Sequence, residues 1–285
     1  MKRLVGRRPL KAAMFGSALA VVCLAGAGLA QASGGSALPK LSLKLTPSTI
    51  TVGGSMESGA VDIVSTYTGK KEAAAILFRL NPGISLAEVE GALGSKKIQK
   101  DINATSEYGS IVFDAEIHAG QTSEAQTNLE PGQYLALNAA GHGPPKIHSS
   151  FTVTASASPV KLPTPQATVR SIDFGFTGPS TLHDGELVRF QNAGWVVHMD
   201  LAFPVKGKKA AEEVAAGFKT GKSKGLGKLL AGPPVSFQGV VSHGAYQQER
   251  ITAKPGWYVE ACFMNTQDQR EHTRLGMERI IRITK

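Results

Sequence analysis

The sequence Pro255-Gly256-Trp257-Tyr258-Val259-Glu260-Ala261-Cys262 begins with a turn, continues as the start of a strand and ends in a cysteine. His272 and Met277 follow in the same segment, and an upstream histidine, His198, ends the run Phe190-Gln191-Asn192-Ala193-Gly194-Trp195-Val196-Val197-His198. Together these residues supply one thiol, two imidazoles and one thioether. That set is typical of a blue-copper electron-transfer centre, in which two histidines and a cysteine form a plane and a methionine makes a long axial contact.

The spacing of these residues resembles the type 1 copper loop of the cupredoxin family. In that family a tyrosine lies four residues before the cysteine, as Tyr258 does here, and a Gly-Met pair often closes the loop, as Gly276-Met277 does. An asparagine precedes the first histidine by several residues, the position that Asn192 occupies. The loop is longer than in plastocyanin-like and azurin-like proteins, because nine residues separate Cys262 from His272. The type 1 sites of copper nitrite reductases have loops of nearly this length.

The resemblance implies a cofactor and a function. A cupredoxin site takes one histidine from an earlier strand and its other three ligands from a single later loop. It therefore implies one copper ion per chain in the C-terminal domain, held by His198, Cys262, His272 and Met277. In the same way, Asn192 is implied to support the site by holding the His198 strand against the ligand loop. The implied function is one-electron transfer with a redox protein partner.

The first 32 residues predict a secretory signal peptide. Basic residues precede an apolar run from Ala12 to about Ala30, and Ala30-Gln31-Ala32 is a small-residue cleavage site, so we expect cleavage after Ala32 and an exported, extracytoplasmic protein. Cys23 lies in the apolar run, which leaves Cys262 as the one cysteine of the remainder. In an oxidising compartment an unpaired cysteine indicates a ligand or a partner role, although a buried cysteine also serves as a small hydrophobic residue. No other stretch approaches the roughly 20 apolar residues that cross a bilayer.

The remaining chain contains two copies of one pattern. Pro131-Gly132-Gln133-Tyr134 recurs 124 residues later as Pro255-Gly256-Trp257-Tyr258, and a helical and a strand-like segment recur in the same order. Residues 157–166 between the copies are rich in proline, which predicts an extended linker. We therefore expect one repeat over residues 33–156 and a second over residues 167–285.

The local patterns predict an all-β fold. Short runs with alternating apolar and polar residues, bounded by Gly, Pro and Asp, predict half-buried strands. Several such runs in about 120 residues predict a Greek-key β-sandwich. One amphipathic helix interrupts each copy, from Ser85 to about Leu93 and from Ala210 to Phe218, with Ser85 as a cap. The expected architecture is two tandem cupredoxin-like Greek-key sandwiches, each with a short inserted helix.

Only the second copy carries the whole ligand set. Aligning the copies places, in chain order, Glu72 at His198, Asn138 at Cys262, His142 at His272 and Ile147 at Met277. A role in strand packing would not require histidine, cysteine and methionine together in one copy alone. We therefore expect the second copy to be the working domain and the first a structural or docking domain with a degenerate site.

Charge restricts the partners. The formal net charge is +9, but the leader carries five of the 31 Lys and Arg residues and no acid, so the remainder has a modest charge of +4. A lysine cluster between Lys206 and Lys228 predicts a solvated helix and loop, or alternatively a surface that attracts an acidic redox partner. No basic stripe interleaved with aromatic residues is present, so we expect no nucleic-acid partner.

Two other functions compete with an electron carrier. The seven histidines include no His-x-His pair, which argues against the trinuclear copper cluster of an oxidase. A type 2 copper site shared between neighbouring subunits could in principle use His118, His142, His148 or His243, but no spacing indicates it. We therefore expect the chain not to be an enzyme. The other alternative is a metal-free extracellular cupredoxin-like module for binding or structure, because a fold alone does not imply a function.

Overall fold

The computed structural model describes residues 37–139, 145 and 147–285, so that the expected signal peptide and His142 lie outside the described residues. The strands of the first half are β1 Lys40–Leu45, β2 Ile50–Gly54, β3 Gly59–Tyr67, β4 Glu72–Leu80, β5 Gly109–His118, β6 Thr122–Leu129, β7 Gly132–Asn138 and β8 Ile147–Val153. Its helices are α1 Leu86–Leu93, α2 Lys96–Lys100 and a 3-10 helix, Ile102–Glu107.

The second half begins at β9. Its strands are β9 Ala167–Ile172, β10 Gly175–Thr177, β11 Thr181–His183, β12 Leu187–Asn192, β13 His198–Val205, β14 Val235–Val241, β15 Tyr246–Arg250, β16 Gly256–Ala261 and β17 Glu278–Thr284. Its helices are α3 Lys208–Thr220 and two 3-10 helices, Leu226–Lys228 and His272–Leu275.

Each half is a sandwich of two sheets, and the strand orders of the two halves match. The first half has the orders β6-β3-β1-β2 and β5-β4-β7-β8, and the second has β15-β12-β9-β10 and β14-β13-β16-β17, with β11 beside β17. In both halves the first strand runs parallel to a neighbour, β1 to β3 and β9 to β12. The predicted all-β class, with two β-sandwiches, is confirmed.

Apolar side chains from both sheets fill each sandwich. In the first half Ile63 of one sheet packs in the same cluster as Phe113 of the other, and both are fully buried. In the second half Phe190 and Phe237 stack across the core with ring centroids 5.2 Å apart. Burial of such side chains stabilises a fold by about 1.5–3 kcal/mol each.

The repeated Pro-Gly-x-Tyr sequence forms the same corner in both halves. The Tyr134 hydroxyl donates to the carbonyl oxygen of Glu130 at 2.7 Å, and the Tyr258 hydroxyl donates to that of Lys254 at 2.7 Å. A buried tyrosine that bonds back to the backbone a few residues upstream is a recurrent feature of β-sandwiches. In the second half this corner starts the strand that ends at Cys262.

The inserted helices cover equivalent outer faces of the sandwiches. α1 packs Val89 into a cluster with Phe78 of β4, and α3 packs Val214 into a cluster with Val259 of β16. A capping box of Ser85 and Glu88 starts α1, because each side chain accepts from the backbone N–H of the other. The prediction of one helix per half is confirmed for α1 and α3, and the first half adds α2 and a 3-10 helix.

The two halves share one sheet and contact each other through a second pair of strands, which the sequence pattern did not indicate. Residues 38–285 form one compact unit, and β6 pairs with β15 through Gln126 and Gln248 to give an eight-stranded sheet. On the other face β5 lies beside β14, where Ile111 and Ser242 exchange two hydrogen bonds of 2.9 Å. The halves are therefore joined strand to strand on both faces.

The connecting segment contacts both halves. The Val160 carbonyl accepts from the Ala60 N–H at 2.9 Å, and the Pro163 carbonyl accepts from the Gln248 side chain at 3.0 Å. The predicted linker is thus extended and is fixed along the junction.

The lysine cluster is solvent-exposed. Its seven lysines are all exposed and lie just before α3, on the helix or in the segment that follows it, as the prediction of a solvated helix and loop requires. No helix among the described residues is long and apolar enough to cross a membrane.

Candidate metal centre

The four side chains singled out from the sequence come from four places in the second half. His198 is the first residue of β13, and Cys262 directly follows β16, the neighbour of β13 in the sheet. His272 begins a 3-10 helix, and Met277 directly precedes β17. All four side chains are fully buried.

The two imidazoles converge on the thiol through the same ring atom. His198 Nδ1 lies 3.8 Å and His272 Nδ1 lies 3.4 Å from Cys262 Sγ, and the two ring centroids are 4.9 Å apart. Such separations suit donors that share one metal ion with bonds of about 2.0–2.3 Å. A thiolate with two imidazoles and a thioether is a donor set for copper. The group is compatible with one copper ion.

Backbone hydrogen bonds hold Met277 in the loop that contains His272 and Cys262. The Met277 N–H donates to the His272 carbonyl at 3.0 Å, and the Met277 carbonyl accepts from the Cys262 N–H at 3.2 Å. Gly276 ends the preceding 3-10 helix with φ of 104°, which favours glycine. The Gly-Met pair therefore closes the loop by a turn that depends on glycine.

The extra loop length is taken up in a small hairpin. The His272 N–H donates to the Met264 carbonyl at 2.8 Å, and the Thr266 N–H donates to that of Arg270 at 2.9 Å. Gln269 at the hairpin tip has φ of 67°. Because the hairpin turns the chain back on itself, His272 lies beside Cys262. The nine intervening residues therefore do not separate these two candidate ligands.

Asn192 organises the segment before His198. Its side chain donates to the carbonyls of Val196 at 2.8 Å and Val241 at 2.9 Å and accepts from the Gly194 N–H at 2.9 Å. These bonds attach the loop after β12 to β14. The contacts of Asn192 therefore lie on the His198 side of the candidate site. Another residue forms the hydrogen bonds to the loop that follows Cys262.

That residue is Asn103, in a 3-10 helix of the first half. Its Oδ1 accepts from the Val197 N–H at 2.9 Å, and its Nδ2 donates to the Asn265 carbonyl at 3.1 Å. A second contact from the ligand loop joins Gln269 Nε2 to the Lys100 carbonyl at 2.7 Å. The first half therefore supports both segments that carry the candidate ligands.

Asp173 and Phe174, in the turn between β9 and β10, complete the surroundings of the imidazoles. Asp173 Oδ1 lies 2.7 Å from His198 Nε2, and the Phe174 ring lies 4.8 Å from that of His272. His272 Nε2 is buried and has no hydrogen-bond partner in the described part of the chain. Nothing in the sequence indicated this turn, because it lies 25 residues before His198 and carries no recognised ligand pattern.

Burial keeps all three donors neutral when no metal ion is bound. It raises the pKa of the Cys262 thiol to about 12, against opposing hydrogen bonds from the N–H groups of Met199 and Met264. Burial also lowers the pKa of His272 to about 4, helped by the neighbouring His198, and holds the pKa of His198 below its ordinary value despite Asp173. Binding of a cation to the thiolate would therefore release a proton.

The equivalent place in the first half keeps the scaffold but has other residues at the described positions of Cys262 and His198. Asn138 Oδ1 accepts from the Ala74 N–H at 3.2 Å, just as Cys262 Sγ accepts from the Met199 N–H at 3.4 Å. The strand registers place Ala73 at the position of His198, one residue away from the Glu72 of the sequence alignment. Ile147 begins β8, as Glu278 begins β17 directly after Met277.

Other metal-binding groups are sparse among the described residues. Glu72, Glu116 and His118 lie together at a surface where acidic groups are common without a metal ion. His148 pairs with Glu90 at 2.9 Å, and His243 stacks on Trp195 with ring centroids 4.6 Å apart. Of the histidines considered for a type 2 site, His118, His148 and His243 are described, and they do not form a common group among the described residues.

Comparisons with known proteins were made by sequence and by structure. No family model matches the chain, and no curated protein matches it. Among solved structures it is similar to auracyanin B, with 22% identity over 44% of this chain and 94% of the other and a TM-score of 0.26. Auracyanin A, a "blue" copper protein from Chloroflexus aurantiacus, is 18% identical over 41% of this chain and 96% of the other, with a TM-score of 0.25.

A further solved structure is similar over most of the chain. Copper nitrite reductase from Nitrosomonas europaea is 10% identical over 86% of this chain and 94% of the other, with a TM-score of 0.22. At these identities and TM-scores the likenesses carry no argument about function. The functional interpretation rests on the four buried side chains and their geometry.

Proposed function

We propose that this chain is an exported one-electron carrier with a single type 1 copper site formed by His198, Cys262, His272 and Met277. The observation that supports this most directly is the convergence of both histidine Nδ1 atoms on the lone thiol at 3.8 and 3.4 Å. A copper ion bound there supplies a Cu(II)/Cu(I) couple that accepts and releases one electron.

The protein's part in this function is to hold the donors still. His198 and Cys262 lie at the ends of neighbouring strands of one sheet, and Met277 is fixed by two backbone hydrogen bonds to the other loop ligands. All four side chains are buried, so neighbouring atoms restrict their movement. A donor set that moves little suits a couple in which the coordination changes little between oxidation states.

We also propose that the protein works outside the cytoplasm after cleavage of the leader following Ala32. This is consistent with a free thiol that is fully buried at Cys262, where it is protected from oxidation and from disulfide exchange. The partner that we infer is a redox protein, and the exposed lysines of α3 and the following segment would favour an acidic one.

The test is a visible absorption spectrum of residues 33–285 after addition of copper(II) and removal of the excess, with metal content measured on the same sample. We expect about one copper per chain and an intense Cu–thiolate band. Cys262→Ala should abolish the band, whereas the control His118→Ala, which alters an exposed histidine of the first half, should keep it.

The other outcomes separate the alternatives. A colourless protein without bound copper would contradict the carrier function and favour a metal-free binding module. Copper binding without electron exchange with a small redox reagent would indicate sequestration. Turnover of nitrite or oxygen by the copper-loaded chain would instead make it a copper oxidoreductase.

A further inference from the structure

Asp173 connects the outer side of His198 to the loop before it. Its Oδ1 lies 2.7 Å from His198 Nε2, and its Oδ2 accepts from the backbone N–H of Trp195 at 2.7 Å. The side chain of Asp173 is 21% exposed, while that of His198 is fully buried. One carboxylate therefore bonds the imidazole and the segment that leads to it.

This contact determines which nitrogen of His198 carries hydrogen. Asp173 already accepts the Trp195 N–H through Oδ2, and a carboxyl of ordinary acidity is ionised at neutral pH, so its Oδ1 can only accept. His198 Nε2 must then donate. In a neutral imidazole this leaves Nδ1 as the acceptor, and Nδ1 is the atom that faces Cys262 Sγ.

The chain leaves room for this contact at Gly194. A Cβ atom at this position would lie 2.2 Å from Asp173 Oδ1 and 2.6 Å from His198 Nε2, closer than real Cβ contacts allow. Any side chain there would push the two apart. Asn192 fixes the Gly194 backbone through the 2.9 Å hydrogen bond from the Gly194 N–H, so the close approach is built into the loop.

We infer that Asp173 is a positioning residue for the metal centre, which orients His198, fixes its Nε2–H tautomer and strengthens its Nδ1 as a donor to copper(II). A carboxylate that accepts from the outer nitrogen of a ligating histidine makes the imidazole more basic. The inference rests on the proposed copper site for its effect on the metal. The tautomer is a property of the protein itself.

The first experiment needs no metal. Nitrogen-15 NMR of the metal-free wild-type protein should report hydrogen on Nε2 of His198. In Asp173→Asn and Asp173→Ala we expect a mixture of tautomers or the Nδ1–H form. An unchanged Nε2–H signature in both variants would overturn the inference, even if the protein proved to bind no copper at all.

The second experiment measures binding of copper itself. Loss of a partner of this kind lowers metal affinity by about 10–100-fold, so we expect such a loss for copper(II) in Asp173→Asn and a smaller one for copper(I). A tenfold greater loss for copper(II) raises the reduction potential by about 59 mV. Gly194→Ala should also lower the copper(II) affinity and raise the potential, because it separates Asp173 from His198 without changing either side chain.

Asp184→Asn is the matched control. Asp184 is an exposed carboxylate of the same half that accepts a backbone N–H, from Ala253 at 3.2 Å. The Asp184→Asn substitution should leave the copper affinity and the reduction potential as in the wild type.

Thermal melting of each metal-free variant identifies those that fail to fold. If folded Asp173→Asn and Gly194→Ala both bind copper with wild-type affinity and potential, the inference is wrong while the copper site stands. If the wild type binds none, the proposed function fails and the NMR result decides the inference alone.

Discussion

Asn103 accepts a hydrogen bond from the backbone N–H of Val197, the residue directly before His198, at a distance of 2.9 Å. The same side chain donates to the Asn265 carbonyl in the loop between Cys262 and His272. The half that lacks the ligand set thus supports the half that has it. Asn103-Ala104-Thr105 also fits a glycosylation pattern in sequence, but Asn103 is 8% exposed and its amide nitrogen is engaged, so the fold uses this asparagine internally.

We predict that Asn103→Ala weakens copper binding. It leaves the buried Val197 N–H without its acceptor, which costs about 1–3 kcal/mol of folding stability. It also frees both ligand segments, and we expect about tenfold lower copper(II) affinity by analogy with other residues that orient ligands. Competition with a chelator of known affinity measures the copper(II) affinity of each variant. Asn128→Ala, at an exposed position of β6 in the same half, is the control, and equal affinities in both variants would contradict the prediction.

The fold class could be predicted from the sequence because strand patterns are local. The candidate ligands could be predicted because their residue types are chemically distinctive. Alternating strands and the repeated tyrosine corner mark the sandwiches, and a lone cysteine followed by His272 and Met277 is a rare combination. Asp173 could not be found in this way, because its contact with His198 depends on how a distant hairpin folds back. The shift from Glu72 to Ala73 has a similar origin, since the pairing register of two strands is not visible in an alignment of the two copies.

The second prediction concerns metal exchange. Phe174 packs on His272 with ring centroids 4.8 Å apart and also contacts His198 edge-on, so it covers the imidazole side of the site. Phe174→Ala should speed copper removal by a chelator about tenfold if it lowers the barrier to opening by about 1.4 kcal/mol. Stopped-flow loss of the visible band measures the rate. Phe176→Ala, on the next strand but away from the imidazoles, should leave the rate close to that of the wild type.

The third prediction concerns Met277. Met277→Leu keeps the volume nearly constant, so the fold should lose less than about 1.5 kcal/mol. The Cu–thiolate band should remain, because Cys262 and both histidines are unchanged. Loss of the thioether removes the ligand that tunes the potential, and we expect copper(II) to lose about ten times more affinity than copper(I), which raises the potential by about 59 mV. Spectroelectrochemical titration decides this, and an unchanged potential would exclude Met277 as a ligand.

The fourth prediction concerns pH and the junction between the halves. Asp114 Oδ2 accepts from the Val240 N–H at 2.7 Å across that junction, and burial raises the pKa of Asp114 from 3.8 to about 7. Between these two values the folded state holds a proton that the unfolded chain has released. Stability therefore falls as pH rises through this window, and above about pH 7 the loss is complete.

Asp114→Asn keeps a neutral side chain at every pH and should remove this dependence. From pH 5 to pH 8 the metal-free wild type should lose about 3 kcal/mol relative to the variant. Urea unfolding at the two pH values gives the comparison, with Asp268→Asn as a control at an exposed carboxylate. A constant difference between wild type and Asp114→Asn would show that Asp114 titrates normally.

β6 pairs with β15, and β5 contacts β14. These two contacts limit how such a chain can change during evolution. Two separate sandwiches would each present open strand edges, which invite pairing with other chains. Here each half covers two edges of the other. A descendant that deleted the half without ligands would uncover the β15 and β14 edges and lose Asn103 from beside the metal site. The second half can therefore be kept only together with the first, although the first does not carry the full ligand set itself.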